Sequence, residues 1–141
     1  MSFRIVGAAV ALSMFAAGAV HAATLNFKAT LAAASETPPT TSAGTGMVIA
    51  ALDTDTKTFR YKVFYSGLTG PAMAAHFHGP AAVGAKAPPV LPVTAAPSPF
   101  NGEAVLTDAQ IAGLEAGMWY FNIHTAAFPG GEVRGQVVPV K

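Results

Sequence analysis

The sequence predicts an all-β fold: an antiparallel Greek-key β-sandwich or barrel of seven to eight strands with one short helix. Most segments alternate apolar with polar residues at a period of two, which is the pattern of strands with one buried face. Clusters of Gly, Pro, Ser and Asp separate these segments at short intervals, as turns do in sandwiches and barrels. One segment alone carries both a helix start signal and a helix stop signal.

The first 22 residues are predicted to be a secretory signal peptide. Arg4 precedes an uncharged apolar run from Ile5 to about Val20, and the run ends in the small-residue triplet Val20-His21-Ala22. A basic start, an apolar centre and a small-residue cleavage site are typical of such leaders. Cleavage would leave residues 23–141 as a single periplasmic or secreted domain, free of the membrane; a membrane anchor is the alternative interpretation of the same run.

The composition after the leader argues against nucleic acid as a partner. Without Arg4, seven basic residues balance seven acidic ones, so no basic field would attract phosphate groups. The sequence contains no cysteine. An exported domain of this kind must be stable without disulfides, and any metal must be bound by nitrogen, oxygen or thioether ligands.

The first half of the domain is predicted to form three strands. The segment Thr24–Leu31 alternates apolar and polar residues, whereas Gly46–Leu52 is apolar throughout and is predicted to be a fully buried strand. Asp53–Lys57 has the Asp and Thr residues of a turn. It leads into a third strand, Thr58–Tyr65, so the second and third strands are predicted to form a hairpin.

The second half combines a proline-rich stretch, a helix and two further strands. Residues 79–99 are dense in proline, which cannot donate to a sheet ladder, so they form a loop or at most an edge strand. A helix is predicted over Thr107–Ala116, because Thr107 and Gln110 fit a capping box and Gly117 provides a stop. Strands are predicted again at Met118–His124 and Glu132–Val138.

The histidines of the mature chain occupy two short motifs and form a candidate metal site. His76 and His78 lie in AAHFHGP, and His124 lies in WYFNIHT. Alternate residues of a strand share a face, so His76 and His78 place two imidazoles side by side. If the two strands are neighbours, His124 completes a site of three nitrogens, whose remaining positions would be filled by water, Met118 or a carboxylate.

Ligand chemistry favours copper as the bound ion, with zinc as the alternative. Imidazole suits both metals, and copper(II) is bound most tightly of the divalent series. Three histidines with an open position also describe hydrolytic zinc sites, which would need a nearby general base. Glu132 is the candidate base, although pairing with Arg134 on the same strand face is the favoured interpretation of that residue. Tyr120 is either an outer-shell donor or, more simply, a hydroxyl at the solvent edge of its strand.

The chain resembles the CHRD domain family, named from chordin and found also as small secreted bacterial proteins. The resemblance extends from about Leu25 to Val138, and its motifs occur in the family's order: Ser35-Glu36-Thr37-Pro38-Pro39, Gly44-x-Gly46, Ala75-His76-Phe77-His78-Gly79-Pro80-Ala81, Gly117–Thr125 and Gly130–Gln136. It implies a β-sandwich domain outside the cytoplasm. It implies no activity, because the family has no agreed biochemical role.

Three functions therefore remain open at this point. The leading hypothesis is an exported protein that binds one copper ion for storage, delivery or protection, and catalysis is the less favoured use of the same histidines. A redox enzyme similar to copper/zinc superoxide dismutase would need features that this sequence lacks, namely a cysteine pair, a fourth mature histidine and a second metal cluster. A metal-free adhesion or assembly module is the third hypothesis. The 52% hydrophobic composition favours self-association of such a module into a homo-oligomer.

Overall fold

A computed structural model of the chain describes residues 23–141, so the predicted signal peptide lies outside the described residues. Eight strands and one α-helix follow each other along this part of the chain, with a single 3-10 turn at Ala33–Ser35. In chain order they are β1 (Thr24–Ala32), β2 (Thr45–Asp53), β3 (Thr58–Ser66), β4 (Ala74–His78), β5 (Pro89–Val93), β6 (Phe100–Val105), α1 (Asp108–Glu115), β7 (Trp119–His124) and β8 (Val133–Pro139).

The strands form one antiparallel sheet in the order β5-β4-β7-β8-β1-β2-β3-β6, and the sheet curls into a nearly closed barrel. Strands distant in sequence are neighbours at three places: β4 with β7, β8 with β1, and β3 with β6. These long connections are of the Greek-key kind. The predicted all-β fold with one short helix is confirmed.

The inward-facing residues of the strands form one hydrophobic core. Phe59 lies at its centre and packs edge-on against Phe27, Phe77 and Trp119, with ring centroids 5.4–6.4 Å apart. Such edge-to-face contacts are the preferred arrangement of aromatic rings. Because β4 and β7 contribute Phe77 and Phe121 to this core, their alternate residues are directed away from it.

The predicted helix is present with the expected cap. The Thr107 hydroxyl accepts a hydrogen bond from the Gln110 backbone N–H, and the Gln110 side chain accepts one from the Thr107 backbone N–H. Gly117, at φ +69°, ends the segment in a left-handed conformation that favours glycine. The Gln110 amide also donates to the carbonyl of Val90, which ties the helix to strand β5.

Two strands differ from the sequence prediction. Strand β2 is half-buried rather than fully buried, because Met47 and Ile49 are 44% and 45% exposed while Val48 and Leu52 are inaccessible. Strand β6 was not predicted: Asn101, Gly102 and Glu103 have low strand propensity, and pairing with β3 holds them in the sheet. The proline-rich stretch does contain an edge strand, β5, in agreement with the prediction.

Candidate metal centre

Strands β4 and β7 place the histidines on the outer face of the barrel. They are antiparallel neighbours, and their register pairs Ala74 with His124, His76 with Asn122, and His78 with Tyr120. The condition set by the sequence, that the two histidine motifs lie on adjacent strands, is therefore met. His78 is buried, and the other two histidines are partly exposed.

The three imidazoles converge on one point. One ring nitrogen from each of His76, His78 and His124 lies within 4.8 Å of the others, and Nδ1 of His76 is 3.2 Å from Nε2 of His124. Two nitrogens bound to one ion at about 2.0–2.1 Å in a tetrahedral arrangement are roughly 3.3 Å apart. The observed separation is thus close to that of two ligands of one metal ion.

Backbone carbonyls fix the orientation of two of these rings. Nδ1 of His124 is 2.9 Å from the carbonyl oxygen of Pro129, and Nδ1 of His78 is 2.9 Å from that of Ala87. A carbonyl oxygen only accepts, so both rings donate from Nδ1. In the neutral ring this leaves the lone pair on Nε2. A metal-ligating histidine characteristically donates its second ring N–H in this way.

The surroundings also favour the neutral form that binds metals. Burial lowers the pKa of His76, and the neighbouring His124 and His78 lower it further. Burial likewise lowers the pKa of His78, against the opposing effects of hydrogen bonds to Ala87 and Asn122, and the charges of His124 and Arg134 add to the decrease. Both imidazoles are therefore neutral at pH 7 and need not release a proton to coordinate a cation.

Comparison with models of known protein families identifies the family of this chain. The family model for the CHRD domain matches residues 27–137, which is most of the chain and includes all three histidines of the site. This protein belongs to the CHRD domain family. Searches of curated proteins and of solved structures each find no match.

Membership of the CHRD family agrees with the predicted location outside the cytoplasm. CHRD domains are typically extracellular. No helix within residues 23–141 is long and apolar enough to cross a membrane.

Tyr120 supports the ring of His78 from one side. It is 4% exposed, so the expectation of a hydroxyl at the solvent edge is wrong. The two rings stack with centroids 4.6 Å apart at an angle of 2°, and the Tyr120 hydroxyl lies within hydrogen-bond distance of the Ala87 carbonyl that also accepts from His78. The guanidinium group of Arg134 lies over the face of the Tyr120 ring, with its central carbon 3.4 Å from the ring centroid. Tyr120 is therefore packed between a cation and an imidazole.

Glu132 does not form the predicted pair with Arg134. Its carboxylate is fully buried and accepts hydrogen bonds from the three hydroxyls of Ser42, Thr69 and Thr125 and from a backbone N–H. Burial raises the pKa of Glu132, but these hydrogen bonds outweigh it, so the pKa is lowered overall. Thr125 follows His124 and is therefore directed to the opposite side of the strand. Glu132 joins that side of the barrel to the loop before β2.

Met118 is the most distant of the sequence candidates from His124. The two are six positions apart along an extended segment, a distance of about 20 Å at the usual rise per residue. Met118 lies instead beyond Tyr120, at the His78 end of the site.

The sequence interpretation missed Glu36 and Asn122 as members of this site. Asn122 lies beside His78, with Oδ1 3.0 Å from Nε2, and Glu36 reaches the same region from the loop after β1. Burial raises the pKa of Glu36, against the opposing effects of Arg134, the Thr37 N–H and the Asn122 side chain. Both residues belong to motifs that carry the family resemblance, and that was the one available signal.

Proposed function

We propose that this CHRD domain is an exported metal-binding protein that binds one copper ion through His76, His78 and His124. The observation that carries the proposal is the convergence of three imidazole nitrogens. Two of the rings are already fixed by backbone carbonyls in the tautomer that coordinates metals. Preorganised ligands bind more tightly because less ordering is needed when the ion arrives.

Ligand type supports copper, with zinc as the alternative ion. Imidazole binds both, and the divalent series places copper(II) above zinc for a given nitrogen site. The chain contains no cysteine, so no thiolate competes for the ion. Storage, delivery and protection are all roles that such a site serves.

Binding fits this site better than catalysis does. A hydrolytic zinc centre needs a general base within hydrogen-bond reach of the bound water. Glu132, the sequence candidate for that base, is directed away from the histidines and is occupied by hydrogen bonds. The superoxide-dismutase-like alternative has no further support, since a shared barrel or sandwich architecture carries no activity with it.

Copper titration of the protein purified from the periplasm tests the proposal. We expect one copper(II) ion per chain, measured by elemental analysis and by competition with a chelating indicator. A His76→Ala/His78→Ala/His124→Ala triple variant should bind no stoichiometric copper while keeping the wild-type circular dichroism spectrum. Stoichiometric metal in this variant would place the site elsewhere.

Self-association is a second candidate function, supported by the outer face of β2. Met47 and Ile49 are exposed large apolar side chains on that face, and such surface commonly mediates protein contacts. Sedimentation of wild type and of a Met47→Ser/Ile49→Ser variant over a range of concentrations tests this idea. A monomer at all concentrations in both proteins would rule it out.

A further inference from the structure

The contact between Asn122 and His78 brings together two atoms that both offer lone pairs. Oδ1 of Asn122 is 3.0 Å from Nε2 of His78. Nδ1 of His78 faces the carbonyl oxygen of Ala87 and must donate its proton there, so Nε2 of the neutral ring carries no hydrogen. An amide oxygen also carries none. This short contact is therefore not a hydrogen bond in the neutral site.

Rotating the Asn122 amide by 180° would remove the contact between two lone pairs at His78 but would create a similar one at Glu36. The Nδ2 group of Asn122 is a neighbour of the Glu36 carboxylate, since a Cβ atom on Gly131 would lie 2.8 Å from Nδ2 and would also meet Oε1 of Glu36. The rotated amide would direct its oxygen at a carboxylate that is buried and already lacks a regular hydrogen bond for Oε1 among residues 23–141. The orientation with Oδ1 toward His78 leaves Nδ2 to donate to Glu36, as a carboxylate requires.

We propose that Oδ1 of Asn122 is the fourth ligand of the metal site and that the cation binds between it and the three imidazoles. A distance of 3.0 Å is what two ligands of one ion show when each bond is about 2.0–2.2 Å and the angle between the bonds is about 90°, the angle of the tetragonal sites that copper(II) prefers. The cation accepts both lone pairs, which removes the repulsion between Oδ1 and Nε2. The ligand set becomes Nδ1 of His76, Nε2 of His78, Nε2 of His124 and Oδ1 of Asn122.

Glu36 acts as the positioning residue for this fourth ligand. Its carboxylate lies next to Nδ2, so donation from Nδ2 to Oε1 in the metal-bound site would keep Oδ1 turned toward the ion, as outer-shell groups do for first ligands. A cation on Oδ1 polarises the amide and strengthens donation from Nδ2. Metal binding thus supplies a better partner for a buried carboxylate oxygen that lacks one. The negative charge of Glu36 also offsets part of the charge that the ion brings.

This ligand set rests on the proposed metal-binding function and specifies the oxidation state of the bound copper. Nitrogen and amide-oxygen ligands suit copper(II), whereas copper(I) is selected by thiolate and thioether sulfur. The proposed site contains no sulfur ligand. It is therefore a site for the oxidised ion, and reduction with ascorbate should promote release of the copper.

Substitutions of Asn122 test the assignment. Leu has nearly the same shape as Asn but offers no ligand, so Asn122→Leu should weaken copper(II) binding by at least about tenfold, the loss that even an outer-shell partner commonly causes. Asn122→Asp keeps an oxygen at the same place and should bind more tightly than Asn122→Leu. Asn101→Leu makes the same change at an exposed position of β6 and should leave the affinity unchanged. Competition titrations give the affinities, and electron paramagnetic resonance should show altered copper(II) parameters in both Asn122 variants.

The rotated orientation of the Asn122 amide predicts the opposite change in copper affinity. If the Asn122 amide donates to His78 and must be displaced by the metal, Asn122→Leu will bind copper more tightly than wild type. Equal or tighter binding by Asn122→Leu overturns the fourth ligand and leaves the three-histidine site intact. Failure of the wild type to bind copper or zinc overturns both.

A measurement on the wild type decides the question if Asn122→Leu does not fold. Zinc is diamagnetic, so nuclear magnetic resonance of labelled protein can follow each ligand. We expect zinc to shift the side-chain carbonyl carbon of Asn122 together with Nε2 of His78, while Nδ1 of His78 stays protonated. Shifts in the three imidazoles with none at the Asn122 carbonyl would overturn the assignment.

Discussion

At the scale of single residues, the lowered pKa values of His76 and His78 make the stability of the metal-free domain depend on pH. In the unfolded chain these imidazoles titrate near pH 6.5, whereas in the folded domain burial and neighbouring histidines lower both pKa values. As pH falls through 6.5, the unfolded chain binds protons that the folded domain does not. The free energy of unfolding must then decrease, because linkage favours the state with more bound protons.

We therefore expect the metal-free wild type to lose stability between pH 7.5 and 5.5, measured by urea unfolding in the presence of a chelator. Glu36 has a raised pKa and works in the opposite direction, gaining its proton more readily in the folded domain. A comparison with His76→Ala and His78→Ala isolates the histidine contribution, since each variant should show a shallower pH dependence. Equal slopes for all three proteins would contradict the lowered pKa values.

Single substitutions of the partly exposed histidines should separate binding from folding. His124 is partly exposed and makes no side-chain contribution to the core, so His124→Ala should keep the fold. It removes a ligand, and copper affinity should fall by more than about 100-fold, beyond the usual effect of an outer-shell change. Chelator competition measures this loss, and His124→Gln, which keeps a polar side chain of similar reach but no imidazole, should not restore it.

Gly131 is required by both its backbone and its neighbours. Its φ is +123°, a conformation that other residues rarely adopt, and a Cβ atom would meet Glu36 and lie 2.8 Å from Nδ2 of Asn122. Gly131→Ala should lower the free energy of unfolding and also weaken copper binding, because Asn122 is displaced. Gly130→Ala is the matched control, since its Cβ would enter open space. Similar effects of the two substitutions would mean that Gly131 is not needed to keep Glu36 and Asn122 in place.

At the scale of elements, the capping box determines how firmly α1 begins. Thr107→Ala removes the hydroxyl that accepts from the Gln110 backbone N–H, and loss of such a cap typically costs about 1 kcal/mol. Thr107→Ser keeps the hydroxyl and should recover most of the stability. Urea unfolding of the three proteins tests this, and an unchanged midpoint in Thr107→Ala would show that tertiary contacts alone hold the helix.

The elements that could be predicted from the sequence are those with a strong local pattern. Strands β1, β3, β7 and β8 and the helix follow from periodicity and caps, and each of their bounds differs from the prediction by at most one residue. Strand β6 lacks such a pattern and is held by its pairing with β3. The apolar sequence of β2 could not reveal that one of its faces is exposed, because burial depends on which elements cover each face.

The site could be predicted only in the part that strand alternation determines. The His-x-His spacing places two imidazoles on one face, and the third follows once β4 and β7 are neighbours. The carbonyls of Ala87 and Pro129 come from loops nine and five residues after the histidines that they contact, and the carboxylate of Glu36 comes from a loop distant in sequence. Their contacts depend on loop conformation, which no periodicity encodes. Glu132 was misassigned for the same reason, since its hydroxyl partners Ser42 and Thr69 lie 90 and 63 residues away.

At the scale of the whole molecule, the predicted signal peptide indicates where an exported protein would begin. Val20-His21-Ala22 supplies the small residues that cleavage needs, so the N-terminus of protein from the periplasm should be Ala23 or a residue close to it. N-terminal sequencing gives the answer, and Met1 on a membrane-bound product would indicate an anchor instead.

Copper should stabilise the whole domain, and the stabilisation should depend on pH. A ligand that binds only the folded state stabilises it by about 2.7 kcal/mol at a hundredfold excess over Kd. Imidazole must be neutral to coordinate the ion. Protons therefore compete with copper as the pH falls below the pKa values that His76 and His78 have in the metal-free domain. We therefore expect copper to raise the melting temperature clearly at pH 7.5 and much less at pH 5.

A purely structural histidine cluster predicts a different set of melting curves. Copper would then have no effect at either pH, and His78→Ala would lose stability even without metal, because His78 is buried between Tyr120 and Asn122. Wild type and the triple histidine variant, each with and without copper at both pH values, distinguish the two cases. A copper-induced shift that is independent of pH and persists in the triple variant would mean that the stabilising ion binds outside the three-histidine site, and self-association through the β2 face would then be the better account of this domain.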